Sequence, residues 1–300
     1  MTLSALVVVD KPAGITSHQV VARARRALGT KKIGHAGTLD PMATGVLVLG
    51  VGRGTRLLGH LTLTTKTYQA TIRLGVATNT DDADGEVTDA PGATLREVGP
   101  RLANEVAALT GTIQQVPSTV SAIKVNGQCA YALARRGEDV ALAAREVTVS
   151  RFDVRDVRET SADGVTVVDL DVVVDCSSGT YIRALARDLG TALGVGGHLT
   201  GLRRTRVGPF GVEHASWDGH LPQLQQGELF EFPTFGLAEI APLAFATVEV
   251  DAAEASDIGY GRALARDVPA DPTALTHDGR LLALYKPGST GGSVPVAVLV

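Results

Sequence analysis

The 300-residue chain is 44% hydrophobic and 20% charged, a globular balance that excludes a disordered or fibrous chain, and no apolar run approaches a membrane span. Its length suits one large domain, or a large one and a small one. The net charge of −4 argues at first against a polyanionic partner, yet ten Lys/Arg face two Asp/Glu in residues 1–80, fourteen face eighteen in 81–212, and four face twelve in 213–300. That asymmetry fits polyanion binding by the basic part, or charges that the folded surface remixes.

Leu6 to Val9 reads as a buried strand, closed by the loop Asp10-Lys11-Pro12-Ala13-Gly14. The apolar run is too short for a signal-peptide core and has no basic residue before it. Ser17 is the expected N-cap of a helix to about Leu28, with Val20, Val21, Ala24 and Ala27 at helical spacing. Arg23, Arg25, Arg26, Lys31 and Lys32 form a basic cluster on and after it. Such a run is either a solvated face or a phosphate-steering surface.

The stretch His35-Ala36-Gly37-Thr38-Leu39-Asp40-Pro41-Met42-Ala43-Thr44-Gly45 follows, and leads into the apolar strand Val46 to Val51. Two glycines and a proline build a turn able to hold one side chain in a defined pose. That side chain is Asp40, the only acid between Asp10 and Asp81. Local chemistry leaves two readings open, an ordinary Asx turn or a carboxylate held out into a cleft.

Residues 53–63 predict a short helix, and Lys66 to Leu74 a strand with Tyr68, Ala70, Ile72 and Leu74 on one face. Tyr68 is either a core aromatic or a phenol that stacks on a base. The acidic loop 78–86 lacks the spacing of a calcium loop. Thr94 and Glu97 form a capping box for a scaffold helix that stops at Gly111. Residues 117–146, with Lys124, Arg135 and Arg136, read as an arm able to clamp a ligand. Alternating strands follow at about 146–158 and 165–176.

Cys176-Ser177-Ser178-Gly179-Thr180-Tyr181-Ile182-Arg183 joins a strand to a helix start. Arg183 falls in the first turn, where the helix dipole disfavours a cation. Its partner is Asp40, or a nearby acid such as Asp175, or solvent. The next basic stretch carries Leu202, Arg203, Arg204 and Arg206, and from about Glu239 the chain turns acidic with two short strands, 281–285 and 294–300. The two cysteines, Cys129 and Cys176, match no metal or redox spacing, so the reducing cytoplasm is the simplest setting.

The stretch 35–45 closely resembles the signature of the TruB family of tRNA pseudouridine synthases. Asp10-Lys11-Pro12, Lys66-Thr67-Tyr68, Pro117-Ser118 through Ser121-Ala122-Ile123-Lys124, Gly179-Thr180-Tyr181-Ile182-Arg183 and Leu202-Arg203-Arg204-Thr205 follow in the family's order. The resemblance covers roughly residues 4–217, with Met42 where many relatives have Leu. It implies an α/β (α+β) fold around a mixed, largely antiparallel central sheet of the pseudouridine synthase type with flanking helices. Residues 1–237 would form the catalytic domain and 238–300 a small, β-rich, PUA-like domain.

The implied activity is isomerisation of the T-loop uridine (position 55) of tRNA, with some assistance to tRNA folding. Asp40 matches the family's nucleophile, Arg183 its arginine partner, and Tyr68 the tyrosine that stacks on the target uracil. His35 matches a residue implicated in extruding the nucleotide. Tyr181 and Leu202 match pocket-lining positions, and Asp82 lies in the acidic loop corresponding to one that contacts tRNA bases in the family. Lys124 begins the arm, Arg203 is expected at phosphates, and Lys11 belongs to a mainly structural motif grouped with the RNA-binding residues. No metal or organic cofactor is implied. A cytoplasmic monomer without an obligate protein partner or membrane contact is expected. An RNA-binding or tRNA-folding module without catalysis is the rival reading and would leave Asp40 and Arg183 dispensable. Glycoside hydrolysis wants two carboxylates flanking a bond, and the Asp40 stretch offers one.

Overall fold

The computed structural model describes residues 3–118, 124–125, 128–129, 142–218 and 234–300. In chain order the main elements are β1 (Ala5–Lys11), α1 (Ser17–Ala27), β2 (Ile33–His35), β3 (Thr44–Val51), α2 (Leu58–Thr62), β4 (Lys66–Leu74), α3 (Leu95–Ala108), β5 (Gly111–Gln115) and β6 (Arg145–Ala162). They continue with β7 (Val165–Cys176), α4 (Ile182–Leu193), β8 (Gly197–Val207), α5 (Leu237–Ala244), β9 (Ala246–Glu249), α6 (Ala252–Gly259), β10 (Thr273–His277), β11 (Arg280–Pro287) and β12 (Ser293–Val298). The chain divides into two compact units, one of Met1–Leu39, Val46–Thr62 and Val207–Val300, the other of Asp40–Gly45 and Leu63–Arg206.

The second unit is built on five strands in the order β8-β4-β7-β6-β5. Three of the pairings, β4–β7, β7–β6 and β6–β5, are antiparallel. Thr44 and Gly45 pair in parallel with Arg203 and Arg204, so the unit is mixed but largely antiparallel. Gly45 has φ +101, and a Cβ there would lie 2.1 Å from the Arg204 carbonyl oxygen. Only glycine admits that approach.

β4 shows why the sequence forms this sheet. Tyr68, Ala70, Ile72 and Leu74 alternate inward as predicted, opposite Val174, Val172, Leu170 and Val168 of β7. Helices α3 and α4 belong to the same unit. The capping box of α3 is present as expected, Thr94 Oγ1 accepting from the Glu97 N–H. The other face of β7 carries Asp169, Asp171 and Asp175 among valines. Arg73 forks onto Asp169 at 2.8 Å twice, and Arg151 Nε donates to Asp175 at 2.7 Å. Asp175 therefore serves Arg151 and is not the partner of Arg183.

In the first unit, β1 is buried from Ala5 to Val9 on both of its faces, and only Asp10 is partly exposed. β2 pairs antiparallel with β3, Ile33 opposite Val51 and His35 opposite Leu49. The expected helix at 53–63 is split into a 3₁₀ segment, Gly52–Leu57, and the short α2. The cap of α1 is also one residue earlier than expected. Thr16 and Gln19 form the capping box. Ser17 is buried instead, and its Oγ accepts from the Leu39 N–H at 2.8 Å and donates to the Leu39 carbonyl at 3.1 Å. A serine read as a cap is thus a brace on the residue before Asp40.

Residues 246–298 hold a four-stranded sheet, β9-β10-β11-β12, where the sequence pattern revealed only the last two strands. β9 and β10 are short; β9 pairs in parallel with β10, which also pairs antiparallel with β11. This sheet has its own apolar cluster, including Ile258, Leu275, Leu282 and Tyr285. A second cluster joins Ile240, Leu281 and Leu284 to Leu6, Val8, Val46 and Val48, so this region and the N-terminal strands share a core.

Candidate active site

Asp40 stands on a turn whose two ends are tied. Leu39 is held by Ser17, and the Ala43 N–H donates to the Asp40 carbonyl at 3.1 Å. Gly37 at φ +89 supplies the reversal that a side chain would resist. The carboxylate meets the fork of Arg183, which donates from Nε to Oδ2 at 3.0 Å and from Nη2 to Oδ1 at 3.2 Å. This is the bidentate geometry in which a guanidinium fixes both the charge and the orientation of its partner. The side chain of Arg183 is 3% exposed and that of Asp40 33%, so the acid alone keeps an open side.

Arg183 has further partners. Its Nη1 donates to the Thr80 carbonyl at 2.7 Å and lies 3.4 Å from Asp82 Oδ2. One buried cation is therefore shared by two carboxylates, which offsets both its desolvation and its place in the first turn of α4. Asp82 was expected to contact RNA bases. Its side chain is only 6% exposed, and it is held by Thr80 Oγ1 and the Asp84 N–H. Burial turns it toward Arg183, and it cannot flank a substrate bond as glycoside hydrolysis would require. The start of α4 is fixed from β5, where Gln115 donates to the Tyr181 carbonyl at 3.1 Å and accepts from the Tyr181 N–H at 2.8 Å.

Tyr68 is buried, and burial raises its phenol above the ordinary range, while the charge of Arg204 and a hydrogen bond from it act in the opposite direction. Arg204 is itself fully buried. Lys66 is lowered to about 8, first by burial and then by the charge of Arg204. Leu202 and Arg204 share a face of β8 by alternation. A cavity of about 560 Å³ is lined by Leu202 and Arg203 together with Thr44, Gln69, Arg155 and Asp171. Leu202 and Arg203, grouped in the sequence, thus line the same cavity.

Two further expected residues belong to the first unit. His35 lies on β2 with its ring edge-on to that of His18 at 5.5 Å. Lys11 was grouped with the RNA-binding residues but is wholly buried, its Nζ donating to the carbonyls of Pro12 at 2.9 Å and Ile15 at 2.7 Å. An enclosed ammonium braces its loop and leaves nothing for phosphate. The Lys124 backbone pairs with Cys129, but its side chain and most of the expected 117–146 arm lie outside the described residues.

Sequence reasoning did not single out Asp81 and Arg187. Arg187 Nη1 donates to Asp81 Oδ2 at 3.2 Å, and its Nη2 donates to the Val116 carbonyl at 2.7 Å. The available signal was the spacing, since Arg183 and Arg187 are four apart on one helix and Asp81 and Asp82 are adjacent.

Residues 25–182 match the model described as TruB family pseudouridylate synthase (N terminal domain). Residues 183–226 match that of the tRNA pseudouridylate synthase B C-terminal domain. The chain is 59% identical over 286 residues to the tRNA pseudouridine synthase B of Nocardia farcinica, covering 95% of this chain and 90% of that one. It is 54% identical over 303 residues to its namesake from Cutibacterium acnes, covering 99% and 98%. Among solved structures it resembles a chain of an H/ACA ribonucleoprotein bound to a substrate RNA containing 2′-deoxyuridine. That match has a TM-score of 0.67 at 23% identity and covers 99% of this chain and 85% of the other. It is a likeness of fold alone.

Proposed function

Because the chain belongs to the TruB family of pseudouridylate synthases, we propose that it isomerises the T-loop uridine of tRNA, at position 55, to pseudouridine. The N1–C1′ glycosidic bond breaks, the uracil turns, and a C5–C1′ bond forms. The hydrogen leaving C5 goes to a base and N1 regains a proton, so the reaction is redox-neutral. The observation that carries the residue assignment is the bidentate Asp40–Arg183 pair with its single open carboxylate side.

Asp40 is the nucleophile, attacking C1′ or the ring or removing a sugar proton, and so divides one hard step into easier ones. Arg183 keeps it ionised and aimed. Tyr68 offers its ring to the uracil, Tyr181 and Leu202 line the pocket, and His35 takes the place of the extruded nucleotide. Residues 117–146 with Lys124 clamp the RNA. Residues 1–237 act as the catalytic domain and 238–300 as a PUA-like module. The protein works as a cytoplasmic monomer without an obligate protein partner. No helix among the described residues is long and apolar enough to cross a membrane.

The test is release of tritium from RNA labelled at C5 of the target uridine, which C5–C1′ bond formation must expel. The wild-type protein is expected to release it, and Asp40→Asn to abolish release while RNA affinity is kept. Normal release by Asp40→Asn would remove Asp40 from the nucleophile role. Binding without any release by the wild-type protein would favour a tRNA-folding module.

A further inference from the structure

We propose that Arg187 is a positioning residue for this reaction: by seating Asp81 it fixes the loop that lays Asp82 against Arg183, and through Arg183 it sets the aim of Asp40. The inference rests on the synthase reading above. Its basis is a two-point attachment. Arg183 and Arg187 lie one turn apart on α4, and two consecutive loop residues address them, Asp82 at 3.4 Å from Arg183 and Asp81 at 3.2 Å from Arg187.

Adjacent side chains reach two points a helical turn apart only if the backbone turns sharply between them. It does so at Asp81, which has φ +60, a left-handed conformation that non-glycine residues avoid. The surroundings must hold that conformation. The Asp81 N–H donates to the Thr78 carbonyl at 3.3 Å, and the Asp81 carbonyl accepts from the Leu199 N–H at 3.0 Å. Arg187 holds the side chain.

The fork of Arg187 reaches three elements at once. It bonds Asp81 in the loop, the Val116 carbonyl just after β5, and Asp188 on its own helix, the last from Nε at 2.9 Å. A planar guanidinium spans such a set, and a point ammonium does not. The same fork thus ties the Asp81–Asp82 loop to the strand whose Gln115 fixes the start of α4.

The charges around Asp81 say what removing Arg187 would do. Facing Asp81 are Arg187, Arg183, Asp188 and the Ser118 hydroxyl. Burial raises its carboxyl above the usual range, against the pull of the Ser118 hydroxyl and of the two arginines. Without Arg187 the remaining cation in reach among the described residues is Arg183. An ionised Asp81 would then compete with Asp40 and Asp82 for that guanidinium. Protonation of Asp81 would end the competition, so the defect should deepen as pH rises through its raised pKa.

The experiment compares single-turnover tritium release by wild-type, R187Q, R187K and D81N/R187Q proteins between pH 6 and 9, with RNA affinity and melting temperature measured for each. R187Q should be slower by about ten- to hundredfold, the scale of a small misplacement at a reacting centre, with RNA affinity nearly unchanged. Its deficit relative to wild type should be larger above the raised pKa of Asp81 than below it. R187K should be intermediate, and D81N/R187Q should recover at least about fivefold over R187Q, because the uncompensated carboxylate is gone. If R187Q does not fold, R187K against D81N/R187K makes the same comparison. A rate for R187Q equal to wild type per folded molecule, or a double variant no faster than its single arginine variant, overturns this inference alone. A wild-type protein that releases no tritium overturns the synthase reading and this inference with it.

Discussion

Arg183→Lys separates positioning from charge. The native guanidinium makes two bonds to Asp40 at 3.0 and 3.2 Å and one to the Thr80 carbonyl at 2.7 Å, and it lies 3.4 Å from Asp82. A lysine keeps the charge but offers a single point, so it cannot grip both oxygens of Asp40 while serving Thr80 and Asp82. Charge-assisted bonds contribute about 1.5–3 kcal/mol each, so losing two costs about 3–4 kcal/mol after relaxation. At about 1.4 kcal/mol per decade, single-turnover release should slow by roughly 10²- to 10³-fold. Because the Arg183 side chain is only 3% exposed, RNA has little access to it, and affinity should stay within about threefold of wild type. The assay is single-turnover tritium release, with filter binding for affinity and melting to confirm folding. A folded Arg183→Lys protein that turns over within threefold of wild type would refute the claim that the fork aims Asp40.

Gly45→Ala places a Cβ 2.1 Å from the Arg204 carbonyl at a backbone with φ +101. Strain and overpacking together should cost about 3 kcal/mol or more, read as a lowered melting temperature, and an unchanged melt would contradict the described β3–β8 pairing. Lys66 releases its proton near 8 in the folded protein against 10.5 for the free side chain. The unfolded chain therefore binds more protons between those values, and stability should climb with pH from about 8, by up to about 1.4 kcal/mol per unit. Lys66→Met should remove that slope in denaturant titrations at pH 8 and 9.5. Arg26, Lys31 and Lys32 are exposed on and after α1. Neutralising all three should flatten the plot of log affinity for tRNA against log salt by about two to three units if they meet phosphates, and an unchanged slope would assign them to the solvated face.

Much of the scaffold was legible because its signals are local. The period of two in β4 and β7 and the Thr94–Glu97 box at α3 depend on neighbours a few residues away. The 35–45 turn was legible for the same reason, since two glycines and a proline around one carboxylate restrict the backbone wherever it sits. The helix dipole also made Arg183 a residue in need of a partner.

What sequence could not decide was which partners chain reversal would bring. Three candidates for Arg183 stood level until folding gave Asp175 to Arg151 and brought Asp40 across 143 positions of sequence. Ser17 is the better cap by type, and its burial against Leu39 left the cap to Thr16. Asp82 and Lys11 carry charges that composition places at the surface, yet each is enclosed, Asp82 beside Arg183 and Lys11 against carbonyls of its own loop. Asp81 and Arg187 looked unremarkable because their meaning is a distance across 106 positions. Periodicity and turn chemistry follow from the chain itself, whereas burial and ion pairing are many-body outcomes of packing. For this protein the sequence determined the mount of Asp40 and the strands around it, and tertiary structure alone decided which cation grips that carboxylate and which residues hold the cation in place.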